Sequence, residues 1–243
     1  NFKNAVGKIK YINPPTADEN IDQMLIKVNF DEDDLTVNTI NIEKSYSGYY
    51  ASYIQPYLNL MTEENANELY DRIIKSIHEN LEIVDKQVFN DKVELFGIEP
   101  FKIVTNVKSE VFTNKAGNKY LFKLGELIGT QIEMYQEKER ILPIEDDYQR
   151  SFLRKIEINI PDGYQITNLK DININHFFDK NEERLLMFHS FYELNGNLLT
   201  VYANEYYKLN SVQLENFEQY RKVVNAAADF NKIVLILEQI SGN

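Results

Sequence analysis

The sequence contains no cysteine and no tryptophan, and only three histidines, six prolines and nine glycines in 243 residues. Without cysteine there is no disulfide, no thiolate metal site and no thiol nucleophile, although the compartment is left open. The few glycines sit singly at turns, so no Gly-rich phosphate loop forms, and GxSxG, the elbow of many hydrolases, is absent. His78, His176 and His189 lie far apart and in no HxxxH or HExxH pattern. They read as structural or surface histidines, because a metal site needs three or four convergent ligands. Positive charge is also scarce: 26 Lys and Arg stand against 38 Asp and Glu, a net −12. Phosphate backbones and anionic membranes are poor partners for such a surface, so no nucleic acid is expected. No run of about 20 apolar residues could make a transmembrane helix. The first ten residues, NFKNAVGKIK, have no signal-peptide core, and the missing initiator Met suggests a trimmed chain or a piece of a longer one.

What is present is aromatic and apolar. Hydrophobic residues make up 43% of the chain, with 16 Tyr and 14 Phe, the composition of a folded protein leaning toward strands. A chain of this length buries roughly 70–75% of its unfolded surface and needs no metal or disulfide to hold a core. The stretch that organises the rest is Leu185–Lys208, LLMFHSFYELNGNLLTVYANEYYK, one long β-hairpin. Asn195-Gly196 suits the two central positions of a type I′ turn, which predicts Leu194 opposite Asn197, Tyr192 opposite Leu199 and Phe188 opposite Ala203. Phe188, Tyr192, Leu199, Val201 and Ala203 then form a core face. His189, Phe191, Glu193, Thr200, Tyr202 and Asn204 form a mixed face.

Taken in order, residues 1–22 read as an extended lead-in. Met24–Phe30 and Leu35–Glu43 alternate as strands around Asp31–Asp34, DEDD. That cluster lacks the Gly and distal Glu of an EF-hand loop and reads as a solvated turn. Gly48–Leu60 predicts a short helix disturbed by Pro56, with Tyr49, Tyr53 and Tyr57 on one face; such a row stacks on sugar rings or packs on the core. Thr62–Asn80 is the clearest helix: Thr62 caps it, Glu63 and Glu64 suit its positive end, and Ala66, Leu69, Tyr70, Ile73, Ile74 and Ile77 recur at helical spacing. Short strands follow at Leu81–Phe89, Val93–Phe96, Phe101–Thr113, Tyr120–Leu124 and Leu153–Ile160, with a turn at Pro161-Asp162-Gly163 and another strand at Asp171–Phe178. Asn210 and Gln213 suggest a capping box for a last helix near 212–228, and Lys232–Leu237 a buried closing strand. The expected class is mainly β with helices, α+β: antiparallel, sandwich-like lobes with two principal helices packed on the sheets. Apolar periodicity lapses near 145–152, which divides the chain into an N-terminal lobe, 1–148, and a C-terminal β-rich lobe, 149–243.

A resemblance adds context. Glu139–Ile144, ERILPI, followed by Ile156–Tyr164, IEINIPDGY, resembles the C-terminal region of bacterial transglutaminase-like proteins of the papain-type superfamily. The likeness runs on through the hairpin, through LENFEQYRKVV at Leu214–Val224, and into IVLIL at Ile233–Leu237. Upstream, Ser45–Ser52, SYSGYYAS, resembles a segment that follows the catalytic domain in that family; the Arg often found after it is replaced here by Tyr53, Ile54 and Gln55. In all it spans residues 20–239. It implies a secreted or periplasmic parent protein whose Cys-His-Asp triad belongs to a central domain. With no Cys, no nucleophile transfers to this chain. The expectation is therefore a non-catalytic accessory region of a cell-envelope protein, whose partner is an adjacent catalytic domain or another envelope protein. The alternative is an autonomous β-sandwich module binding carbohydrate or protein at the cell surface. No catalytic, cofactor-binding or metal residue is assigned, no cofactor is expected, and the ligand-binding residues stay open.

Overall fold

The structure is a computed structural model; it describes residues 9–135 and 139–240, together with the backbone of 2–3 and 6–7. In chain order the longer strands are β1 (Ile21–Phe30), β2 (Asn38–Tyr46), β3 (Glu82–Phe89), β4 (Phe101–Ser109), β5 (Thr113–Ala116) and β6 (Lys119–Phe122). They continue with β7 (Arg150–Asn159), β8 (Tyr164–Ile166), β9 (Ile174–Lys180), β10 (Glu183–Asn195), β11 (Leu198–Tyr207) and β12 (Leu235–Gln239). The helices are α1 (Gly48–Ser52), α2 (Glu63–Lys75) and α3 (Phe217–Asn231).

Eight strands form one sheet in the order β9-β10-β11-β7-β1-β2-β4-β3. Each neighbouring pair is antiparallel except the central one, where β7 runs parallel to β1 with Ile156 beside Ile26. A smaller antiparallel sheet, β8-β12-β6-β5, closes one end. The class is thus α+β, as the alternation and the two amphipathic stretches lead one to expect. The boundary at 148/149 falls just ahead of β7, and that strand joins both halves of the chain into one sheet.

Strict alternation decides which side packs. Met24, Ile26 and Val28 on β1, Ile40 and Ile42 on β2, Ile103 and Val107 on β4, and Ile156 and Ile158 on β7 are all buried on the same side. Over them lie α2, α3 and the small sheet. Tyr70 of α2 sets its ring 6.0 Å from Phe101, and Phe230 of α3 sets its ring 6.0 Å from Phe188. Phe122 of β6 meets Phe30 of β1 edge-on at 5.3 Å. One turn of 3-10 helix, Leu124–Ile128, comes so close to the end of α3 that a Cβ on Gly125 would stand 2.2 Å from the Phe230 carbonyl oxygen, which is why glycine sits there.

Several local expectations hold. The Thr62 hydroxyl accepts from Asn65 N at 3.3 Å and caps α2. Asp31 and Asp34 accept from backbone N–H groups of Asp33, Asp34 and Thr36, a self-satisfied turn. Pro56 does break the tyrosine segment, into α1 and a 3-10 turn at Gln55–Leu60. Tyr49 packs on Tyr148, whereas Tyr53 and Tyr57 are exposed.

Others are corrected. Val93–Leu95 is a 3-10 turn, not a strand. Asn210 does not cap a helix, because its amide donates to the Asp147 carbonyl and Ser211-Val212 pairs with Ile144-Glu145; α3 starts only at Phe217. In the hairpin the loop is Gly196-Asn197, so Leu194 faces Leu199, Tyr192 faces Val201 and Phe188 faces Glu205. Only Gly196 takes a positive φ, 58°, the pattern of a type II′ turn with Gly first. Asn197 is held at the tip by its neighbours: its amide donates to Asp162, and its carbonyl accepts from Ile160 N. The register moves by two residues, an even number, so both faces keep their expected membership.

Candidate functional site

The outer side of the large sheet divides into two regions. Across β1, β2, β3, β4 and β7 the outward polar groups pair with one another. Asn41 donates to Asn106, and Asn106 donates to both oxygens of Asp85. Lys102 meets Glu43 at 2.9 Å, and Glu157 is shared by Lys155 at 2.6 Å and Lys27 at 3.7 Å. Across β9, β10 and β11 the outward positions carry rings instead. His189 stacks on Phe191 at 5.0 Å, and Phe191 stacks on Tyr202 at 4.8 Å with 19° between the planes. Met187 and Tyr206 continue the row, with Lys208 over Tyr206, and Phe177 on the edge strand lies 44% exposed beneath the Arg184 guanidinium. A face that only had to meet water would need no such strip, since outward positions of an antiparallel sheet are ordinarily polar.

The inner side of the same strands holds a charged cluster. Asp22, Lys44, Arg154 and Glu205 occupy core-facing positions on β1, β2, β7 and β11, each 7–8% exposed. Arg154 Nη1 lies 3.0 Å from Asp22 Oδ1, but its hydrogens go to the carbonyls of Asp22 and Leu153, so Oδ1 has an ionic contact and no hydrogen-bond donor. Lys44 forms no ion pair or hydrogen bond among the described residues; its ammonium stands 5.5 Å from the centre of the Tyr46 ring. Burial lowers the Lys44 pKa, against the pull of Asp22. Burial likewise raises Glu205 to about 7, opposed by the Tyr207 hydroxyl that donates to it and by Arg154 and Arg150. Farther along, Arg150 is fully engaged: Asp146 lies 3.1 Å away, Tyr220 accepts from it, and its guanidinium covers the Tyr207 ring.

The three histidines are dispersed. His78 follows α2, where its Nδ1 accepts from Asn80 N; His176 is exposed on the edge strand; His189 belongs to the stack. Among the described residues, no three His, Asp or Glu side chains converge at metal-binding spacing. The inner cluster escaped the sequence reading, yet it leaves a trace there. Each of its members interrupts an apolar phase, as Lys44 does after Ile40 and Ile42, and Glu205 does after Leu199, Val201 and Ala203. No family model matches the chain, and neither does any curated protein or solved structure.

Proposed function

We propose that the chain is a non-catalytic interaction module, an accessory region of a larger bacterial cell-envelope protein of the transglutaminase-like type. The aromatic strip on β9–β11 is its docking face, set against an adjacent catalytic domain or another envelope protein. The observation that carries this reading is the His189–Phe191–Tyr202 stack on the outer side of the sheet, next to a region where Asn41, Asn106, Asp85, Lys102 and Glu43 pair with one another. Aromatic side chains dominate the energetics of protein interfaces because they remove a large apolar area from water at little conformational cost. The envelope setting is supported by the resemblance of residues 139–239 alone.

Hydroxyl-radical footprinting tests the docking face. Met187, Phe191 and Tyr202 are labelled in the 243-residue chain alone and in the parent protein as its own cells make it. Protection of these three in the parent protein, with Lys102 and Val104 labelled equally in both, is the expected result. Equal labelling of the strip in the two samples would discard the proposal.

A further inference from the structure

We propose that the cavity lined by the inner charged cluster binds a small organic monocarboxylate, its anionic group held by Lys44 and Arg154. The cavity measures ≈ 290 Å³ and lies between the sheet and residues 128–132. That volume is at the small end for ligand sites and suits a compact molecule.

Charge selects the anion. Lys44 and Arg154 bring two cations into the cavity wall and Asp22 brings one carboxylate. Buried charges are tolerated when paired, and this set holds one cation in excess. Glu205 offsets that excess only when ionised. Arg150, the other nearby cation among the described residues, is already matched by Asp146. The donors are available as well as charged: Lys44 Nζ, and Arg154 Nε and Nη2, have no protein acceptor among the described residues. Lys44 is thus a side chain more than nine-tenths buried and, among the described residues, without a partner, on the wall of a cavity.

The rest of the wall selects the body of the ligand. Ile128, Phe152 and Phe188 give apolar surface beside the two cations, with Ile132 at the rim and Ser76, Thr130 and Gln131 as the polar remainder, so a short apolar tail loses water against the first three. A dianion such as phosphate would overshoot the single surplus charge and bring no apolar surface to these walls. A carboxylate on a short hydrocarbon or aromatic body satisfies both.

Calorimetry of the 243-residue chain with hexanoate, inorganic phosphate and hexylammonium is the test. Hexanoate should bind saturably, and neither phosphate nor hexylammonium should match it. Lys44→Met should weaken hexanoate at least ten-fold, whereas Lys102→Met, on the outer side of the next strand, should leave it unchanged. Ile132→Trp, at a position 76% exposed on the rim, crowds the mouth of the cavity and should also weaken binding. It decides the matter if Lys44→Met does not fold. Absence of hexanoate binding, binding indifferent to the cavity variants, or phosphate binding as tight as hexanoate would each overturn the proposal.

Discussion

Two ion pairs on opposite sides of the same sheet show how differently one interaction serves in two settings. Lys102 and Glu43 meet at 2.9 Å on the outer side, each about a third exposed. Arg154 and Asp22 meet at 3.0 Å on the inner side, their side chains 8% and 12% exposed. The distances are nearly equal, but the solvent is not. Outside, water screens each charge and can replace either partner. Inside, little water reaches either charge, and removing one takes away the charged contact that lies nearest the other. The same contrast holds for the aromatic residues, which are packing material on the inner side and display on the outer.

The sharpest way to break this comparison is to remove one inner partner. Arg154→Ala should cost about 3–5 kcal/mol in urea melts, because buried Asp22 loses the cation 3.0 Å from it and the carbonyls of Asp22 and Leu153 lose their donor. Glu205→Gln comes next and acts through pH. The folded pKa of about 7 lies above the ordinary 4.5, so the folded state holds a proton that the unfolded state releases. That stability is fully present below pH 4.5, falls as pH rises from 4.5 to 7, and is absent above. The loss is on the order of 3 kcal/mol, from the size of the shift. Melts of both proteins between pH 5 and 8 should show the wild type losing stability relative to Glu205→Gln as pH rises; parallel profiles would refute the buried, protonated Glu205. Gly196→Val should cost roughly 1–3 kcal/mol, since a β-branched residue is strained at a φ of 58°. At the bottom of the scale, Lys102→Ala on the outer side should cost under about 1 kcal/mol. A Lys102→Ala loss as large as that of Arg154→Ala would remove the distinction between the two sides.

Alternation made much of this legible in advance. The inward phase of β1, β7 and the hairpin was readable because one face of each strand is apolar, and a two-residue error in the hairpin register left the faces intact. The error itself came from the turn: Asn195-Gly196 suits a type I′ loop locally, but Asp162 and Ile160, distant in sequence, hold Asn197 at the tip. Asn20 was hidden for the same reason. In sequence it ends a polar lead-in, whereas in the fold it is fully buried, donating to the carbonyls of Pro15 and Gln149 and accepting from Tyr49 N. The parallel pairing of β1 with β7, 130 residues apart at Asp22 and Phe152, has no local signature at all. The inner charged cluster was the missed signal that could have been found. Four charges in the core phase of four strands become one site only once the strand order places β11, β7, β1 and β2 side by side.

The most direct test of a packed inner side and a presented outer side uses two phenylalanines on one strand. Phe188 is 1% exposed and packs on Phe230; Phe191, three residues on, stacks on the outer side between His189 and Tyr202. Urea melts of Phe188→Ala and Phe191→Ala, run side by side, should give a loss of about 3–5 kcal/mol for the first and under about 1 kcal/mol for the second. Equal losses, or a larger loss at Phe191, would mean that the strip is core rather than docking face.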